Sequence, residues 1–204
     1  MYREGLKGYE SVLGTDDWET LTVRTNLAII LNKAQKRDEA VVEFRAILAI
    51  KQRAFGLKNN GTWNTWNDLA RTLETLGKHD EAVAEYRAVL PWMLRGYGPE
   101  NENTLETQMR LANVLQAQGK NAEAEQLHRA VIKVKERVMG PKHPSLYQSC
   151  YHLALCLESQ GKLMEALEFM LRAEHGWERL SYRENTDFKD AKAARARIEA
   201  ALKK

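Results

Sequence analysis

The chain repeats itself every 42 residues, and nothing else in the sequence restricts its fold as tightly. Leu-Ala recurs at Leu27-Ala28, Leu69-Ala70, Leu111-Ala112 and Leu153-Ala154. Glu-Ala recurs in the same step at Glu39-Ala40, Glu81-Ala82, Glu123-Ala124 and Glu165-Ala166. Lys36, Lys78, Lys120 and Lys162 follow Gln35, Gly77, Gly119 and Gly161, and more glycines stand in register at Gly14, Gly56, Gly98 and Gly140. Arg3, Arg45, Arg87 and Arg129 complete the register. Several independent positions share one period without an insertion. That pattern belongs to a chain of stacked supersecondary units, none of which can bury its apolar face alone.

Each unit reads as two helices. The first (helix A) is expected roughly over 20–34, 62–76, 104–118 and 146–160, with Leu21, Leu27, Ala28, Leu31 and Ala34 at helical spacing in the first unit. Gln35-Lys or Gly-Lys then breaks the chain, as glycine does just past a helix end. The second (helix B) is expected to open near Asp38, Asp80, Ala122 and Met164, with Asp38 and Asp80 capping free N–H groups. Ala28, Ala70, Ala112 and Ala154 are expected to face Ala40, Ala82, Ala124 and Ala166 across the hairpin, letting two helices approach closely. Phe44, Tyr86, His128 and Met170 lie one turn further on and should fill the space above them.

Composition narrows the class. Thirty-one Lys+Arg against 28 Asp+Glu give a net charge of +3, too balanced for phosphate-driven nucleic-acid binding. No apolar run is long enough to span a membrane, and the first residues carry no apolar signal core, so neither a membrane nor a secretory route is expected. Two cysteines cannot build a disulfide framework. A soluble cytoplasmic protein is the expectation. Glycine-rich phosphate loops, His-Glu-x-x-His and nucleophile-elbow motifs are missing, so no enzyme and no cofactor are expected. Cys150, His152, Cys156 and His143 lie close in sequence, but their spacing matches no familiar zinc pattern and no metal site is expected.

Leu-Ala in helix A, Gly-Lys at the turn and Glu-Ala in helix B resemble a tetratricopeptide repeat. The 42-residue period, longer than the usual 34, is similar to that of the kinesin light chain subfamily. Gly140-Pro141-Lys142-His143-Pro144 matches that subfamily's Gly-Pro-x-His-Pro junction, and Gly98-Pro99-Glu100-Asn101 is a weaker copy. The resemblance covers residues 13–182 and implies an all-α fold, a right-handed α-solenoid of stacked helix hairpins. It divides the chain into an N-terminal half-repeat (1–14), four repeats (15–56, 57–98, 99–140 and 141–182) and a C-terminal capping helix (183–204). The opening residues align with the inside of a helix B, as a natural cap or a trimmed end would. Phe188, Ala191, Ile198 and Leu202 are expected on one face of the C-terminal cap.

In such repeats helix A lines a concave groove. The resemblance therefore places Asn26, Asp68, Arg110 and His152 in it, with Asn64, Glu106, Gln148, Asn67 and Tyr151 beside them and Arg71 and Asn113 one turn on. The functional reading is a protein or peptide groove; the plain alternative is a solvated face without a ligand. The paired lysines of a carboxylate clamp are missing, although Arg110 alone could still meet a carboxylate. Trp66 is expected in the core, and Trp18 and Trp63 half exposed at the repeat edge. Pro91 should kink or break its helix, and Trp92 beside it is either an edge contact or core. The resemblance implies a protein-binding scaffold. For a small free-standing chain it resembles the bacterial kinesin light chain, which implies association with tubulin-like filaments and bridging of protofilaments. The alternative is a peptide-binding adaptor or the sensor fragment of a larger signalling protein.

Overall fold

The computed structural model describes residues 2–180 and 186–203, with side chains from Gly5 onward. The described residues form ten helices and no strand. Two compact units divide the chain, residues 1–99 and 100–204. The first holds α1 (Tyr2–Leu13), α2 (Trp18–Lys33), α3 (Arg37–Phe55), α4 (Asn60–Thr75) and α5 (His79–Gly96). The second holds α6 (Glu102–Ala117), α7 (Asn121–Met139), α8 (Pro144–Ser159), α9 (Leu163–Arg179) and α10 (Thr186–Leu202). Helices α2, α4, α6 and α8 are the A helices; α3, α5, α7 and α9 are the B helices. The repeat edge expected at Tyr182 lies outside the described residues.

Each A helix starts two residues before its expected position, because the capping residue sits further upstream. Asp17, Asn59, Asn101 and His143 hold this place in the 42-residue register, and each side chain accepts a hydrogen bond from the backbone N–H two residues on. That satisfies one of the donors a helix start leaves free. Asp38 and Asp80 are not caps. They lie inside the first turn of their B helices, whose cap positions are Lys36 and Lys78, without a side-chain cap bond. Asp38 instead meets Lys78 of the next repeat at 3.0 Å.

The A-to-B turn is one conformation used four times. The N–H groups of Lys36, Lys78, Lys120 and Lys162 donate to the carbonyls of Leu31, Leu73, Leu115 and Leu157 at 2.9–3.0 Å. This bond, reaching back five residues, closes a helix whose next residue is left-handed. Gly77, Gly119 and Gly161 supply that residue with φ of 71°, 75° and 73°. The first repeat has Gln35 there at φ 64°, the one described non-glycine residue with positive φ.

Packing follows the small residues. All eight seam alanines have no exposed surface, and Phe44, Tyr86, His128 and Met170 are buried with them. Two ion pairs that join neighbouring B helices recur 84 residues apart: Arg45 with Glu81, and Arg129 with Glu165. Glu125 accepts from Lys162 at 2.7 Å, Gln160 at 2.9 Å and Arg129, which holds its carboxyl down at about 2. Pro91 does not break its helix; α5 runs through it from His79 to Gly96. The C-terminal cap buries Phe188, Ala191, Ala194 and Ile198, whereas Leu202 is exposed rather than on the packed face.

A second rhythm of two repeats overlies the first. Lys51 and Lys135 stand 84 residues apart, and both are buried. Lys51 Nζ donates to Thr65 Oγ1 at 2.9 Å, and Lys135 Nζ donates to Ser149 Oγ at 3.0 Å. Each lysine also reaches the carbonyl four residues before that hydroxyl, Gly61 at 3.5 Å and Ser145 at 3.2 Å. Burial pulls the Lys51 pKa down to about 8 and lowers that of Lys135 as well. Trp63 and Tyr147 obey the same spacing: the indole N–H donates to the Leu57 carbonyl at 2.5 Å and the phenol to the Pro141 carbonyl at 3.3 Å.

Replacing Gln35 with glycine should raise unfolding stability by about 0.5–1 kcal/mol, relief of left-handed strain exceeding the added chain entropy. Gly77→Ala should lower it by about 1 kcal/mol. Urea unfolding of the two variants beside the parent checks both signs.

Candidate functional site

The proposed groove residues fall on A helices of both units, and their exposure follows helical position. In the first unit Asn26 and Asn64 are exposed, and Asn67, Asp68 and Arg71 are half-buried. Asp68 accepts from Arg71 at 2.7 Å, one turn along α4. Burial raises the Asp68 pKa, and Arg71 and Lys51 oppose that rise. Asn64 accepts from the Tyr97 hydroxyl at 3.2 Å. In the second unit Glu106, Arg110, Asn113, Gln148, Tyr151 and His152 are all half-buried. Arg110 meets Glu106 at 2.9 Å, and Gln148 donates to Asp187 of the cap helix at 3.4 Å. A visiting carboxylate at Arg110 has to compete with Glu106.

Two histidines stack in the second unit. His152 stacks on His128 with ring centroids 6.2 Å apart and planes 7° from parallel. Tyr151 packs on His152 at 5.4 Å and on Trp177 at 5.9 Å. His128 has no exposed surface, and neither ring nitrogen has a hydrogen-bond partner. Burial, reinforced by His152 and Lys135, pushes its pKa down to about 3. Burial also pushes His152 down to about 4, against the pull of Glu106 and with the help of Arg110 and Lys135. Both rings are neutral at pH 7.

The tryptophans divide differently from expectation. Trp18 is 43% exposed, with its edge on Phe55 at 5.3 Å and Lys51 Nζ over its ring at 5.3 Å. Trp66 is buried and donates to Glu85 at 2.5 Å. Trp63 is not a half-exposed edge residue; only 3% of it reaches solvent. Its ring lies on Gly96, where a Cβ would come within 1.8 Å of it, and meets Tyr97 edge-on at 5.0 Å. Trp92 is half-buried, with the Arg95 guanidinium 5.6 Å from its ring centre.

The Cys–His cluster does not assemble. Cys150 and Cys156 are buried free thiols, and burial pushes Cys150 up to about 11. His143 is occupied as the cap of α8, with Nδ1 2.8 Å from Ser145 Oγ. Among the described residues no three His, Cys, Asp or Glu side chains are placed to hold a metal ion. No described helix is long and apolar enough to cross a membrane.

Sequence reasoning missed Lys51 and Lys135 as buried polar groups, whereas His128 is buried where its column with Phe44, Tyr86 and Met170 put it. A lone lysine on an amphipathic helix reads as surface. The one available signal was register: a hydroxyl residue 14 positions after each lysine.

Two family models, both described as tetratricopeptide repeat, match residues 19–95 and 104–145, together more than half of the chain. The chain belongs to the tetratricopeptide-repeat family. Among solved structures it is similar to the nearly identical tetratricopeptide-like repeats of a kinesin light chain from Podosopora anserina. That match has a TM-score of 0.76 at 23% identity and covers 89% of this chain and 86% of that one. It is similar as well to BtubC (BKLC) from P. vanneervenii, with a TM-score of 0.79 at 18% identity over 88% of this chain and 72% of that one. The apo form of RapI matches with a TM-score of 0.79 at 9% identity, over 99% of this chain and 54% of RapI. At these identities the likeness is one of fold, a kinesin-light-chain-like all-α repeat. No curated protein is significantly similar in sequence.

The buried histidines give a pH prediction. In the unfolded chain both protonate near 6.5, whereas in the fold they resist protonation until about 3 and 4. Falling pH therefore favours the unfolded state. The stability they contribute is complete above about pH 6.5 and is lost as pH drops toward 4. In His128→Phe, which places the Phe44 residue type in the same column, the loss between pH 6.5 and 4 should shrink by about 2–3 kcal/mol. Thermal and urea unfolding across that range measures it.

Proposed function

We propose that this tetratricopeptide-repeat scaffold for protein interaction is a cytoskeletal accessory protein. In this reading it binds tubulin-like filaments and bridges neighbouring protofilaments in the cytoplasm. The observation that carries it is the 42-residue period with its Gly140-Pro141-Lys142-His143-Pro144 junction, together with a fold shared with BtubC over 88% of this chain. The chemistry is that of a binder. The A helices present polar side chains that are partly exposed, such as Asn26, Asn64, Asp68, Arg110 and Tyr151. They stand on hairpins whose cores are closed by alanine, so the surface is held still when a partner arrives. Pre-ordering of this kind lowers the entropy lost on association. Asp68 and Arg110 are already paired within their own helices, with Arg71 and Glu106, which favours recognition by shape and hydrogen bonding over simple charge attraction.

The test is co-sedimentation with the polymerised tubulin-like protein of the source organism. The protein should pellet saturably with filaments and stay in the supernatant with unpolymerised subunits. Asp68→Lys with Arg110→Glu should weaken pelleting about tenfold or more, since each reversal removes a hydrogen-bonded charge. Its circular dichroism should remain helical. Failure of the parent to pellet removes the filament reading and leaves a scaffold for another protein partner.

A further inference from the structure

The two-repeat rhythm replaces a carboxylate by lysine in the second and fourth repeats, and in the second the site is walled by tryptophan. Each B helix carries an arginine near its end, at Arg53, Arg95, Arg137 and Arg179. The loop before the matching A helix carries Asp16, Lys58, Glu100 and Lys142 at the corresponding position. In the first repeat Arg53 meets Asp16 at 2.7 Å, and in the third Arg137 meets Glu100. In the second repeat lysine stands where the carboxylate would be. Among the described residues neither Lys58 nor Arg95 has an acidic partner.

These two cations sit around an open cavity of about 250 Å³ whose other walls are Trp63, Trp92 and Gly96. The back wall is rigid. Trp63 is held by its hydrogen bond to the Leu57 carbonyl and by its edge contact with Tyr97, and its six-membered ring sits against Gly96 because no side chain intervenes there. Trp92 faces the cavity half-buried, with Arg95 over its ring. The fourth repeat has the same charge reversal at Lys142 and Arg179 but not the same walls. There the counterpart of Trp92 is Gly176, and Tyr147 occupies the space above it.

We propose that the pocket of Lys58, Trp63, Trp92 and Arg95 binds a glutamate or aspartate side chain from an acidic segment of a protein partner. This rests on the protein-scaffold reading and assigns a site outside the A-helix surface. The fold itself shows that a carboxylate fits: Asp16 and Glu100 fill the equivalent position in alternate repeats. The guanidinium fork takes a carboxylate through two parallel hydrogen bonds, and Lys58 adds a second charge. The indole walls exclude water on one side and offer apolar area to the neighbouring residues of the segment. Tryptophan and arginine together are what strong interface contacts are commonly built from.

The test follows the tryptophan indole N–H signals by NMR in the full chain, with Trp92 assigned by Trp92→Phe. The probe is a capped octapeptide of six glutamates and two leucines. Its controls are the same peptide with glutamine for glutamate, and inorganic phosphate at equal ionic strength. The acidic peptide should shift the Trp92 signal saturably, and neither control should. Lys58→Asp reproduces the Asp16 arrangement, so it should keep the fold and weaken the peptide about tenfold or more by supplying Arg95 with an internal carboxylate. Lys142→Asp should leave the response unchanged. An unmoved Trp92 signal overturns the proposal, as does an equal response in Lys58→Asp or an equal response to phosphate. Filament pelleting by a chain whose Trp92 ignores the acidic peptide would refute this pocket alone; absence of any protein partner would remove the reading beneath it.

Discussion

Eight alanines with no exposed surface let the two helices of every repeat approach closely, and the turns and side-chain columns are built on that spacing. A larger residue at Ala28, Ala70, Ala112 or Ala154 would hold the hairpin open, and overpacking of this sort costs roughly 1–3 kcal/mol. Close approach in turn requires that the chain reverse in very few residues. The left-handed residue at Gln35, Gly77, Gly119 and Gly161 does so, and the bond from the following lysine N–H fixes the angle of exit. With spacing and angle fixed, each A helix presents the same face, which is why residues 42 apart share a role.

Variation between repeats is then where specificity resides. The two-repeat rhythm alternates Lys51 and Lys135 with Met93 and Trp177, and it alternates Asp16 and Glu100 with Lys58 and Lys142. A buried lysine bonded to a hydroxyl ties the end of one hairpin to the start of the next. An unpartnered lysine beside a tryptophan leaves an opening. The same backbone thus carries joints in some repeats and candidate contact points in others. His128 belongs to this variation too: it takes a column filled elsewhere by Phe44, Tyr86 and Met170, and brings a neutral, unbonded imidazole into the core.

Most of the architecture was legible because it is periodic. The helix pairs, the turn residues and the alanine seam all follow from register and helical spacing. The errors have physical causes. The helices start two residues earlier than expected because the apolar spacing marks only the first buried turn, whereas the capping column Asp17, Asn59, Asn101 and His143 lies upstream of it; three of these four are common capping types and only His143 breaks the motif. Trp63 was expected near the surface because it lies at a helix entrance; what buries it is Gly96, 33 residues away in α5. Leu202 was expected on the packed face by spacing alone, but burial in the cap helix stops at Ile198. The pairing of Asp68 with Arg71 and of Glu106 with Arg110 is local and readable in principle. The Lys58–Arg95 opening is not, since it needs the fold to bring loop and helix end together.

The proposed filament binding puts a partner on the exposed faces of the A helices. Hydrogen–deuterium exchange of the filament-bound protein reads those faces amide by amide. Amides and flanking segments of α4, α6 and α8 should gain protection on binding, while the B-helix segments around Arg45 and Arg129 should exchange as in the free chain. Protection confined to those B-helix segments, or no filament-dependent protection anywhere, would rule out binding on the A-helix faces.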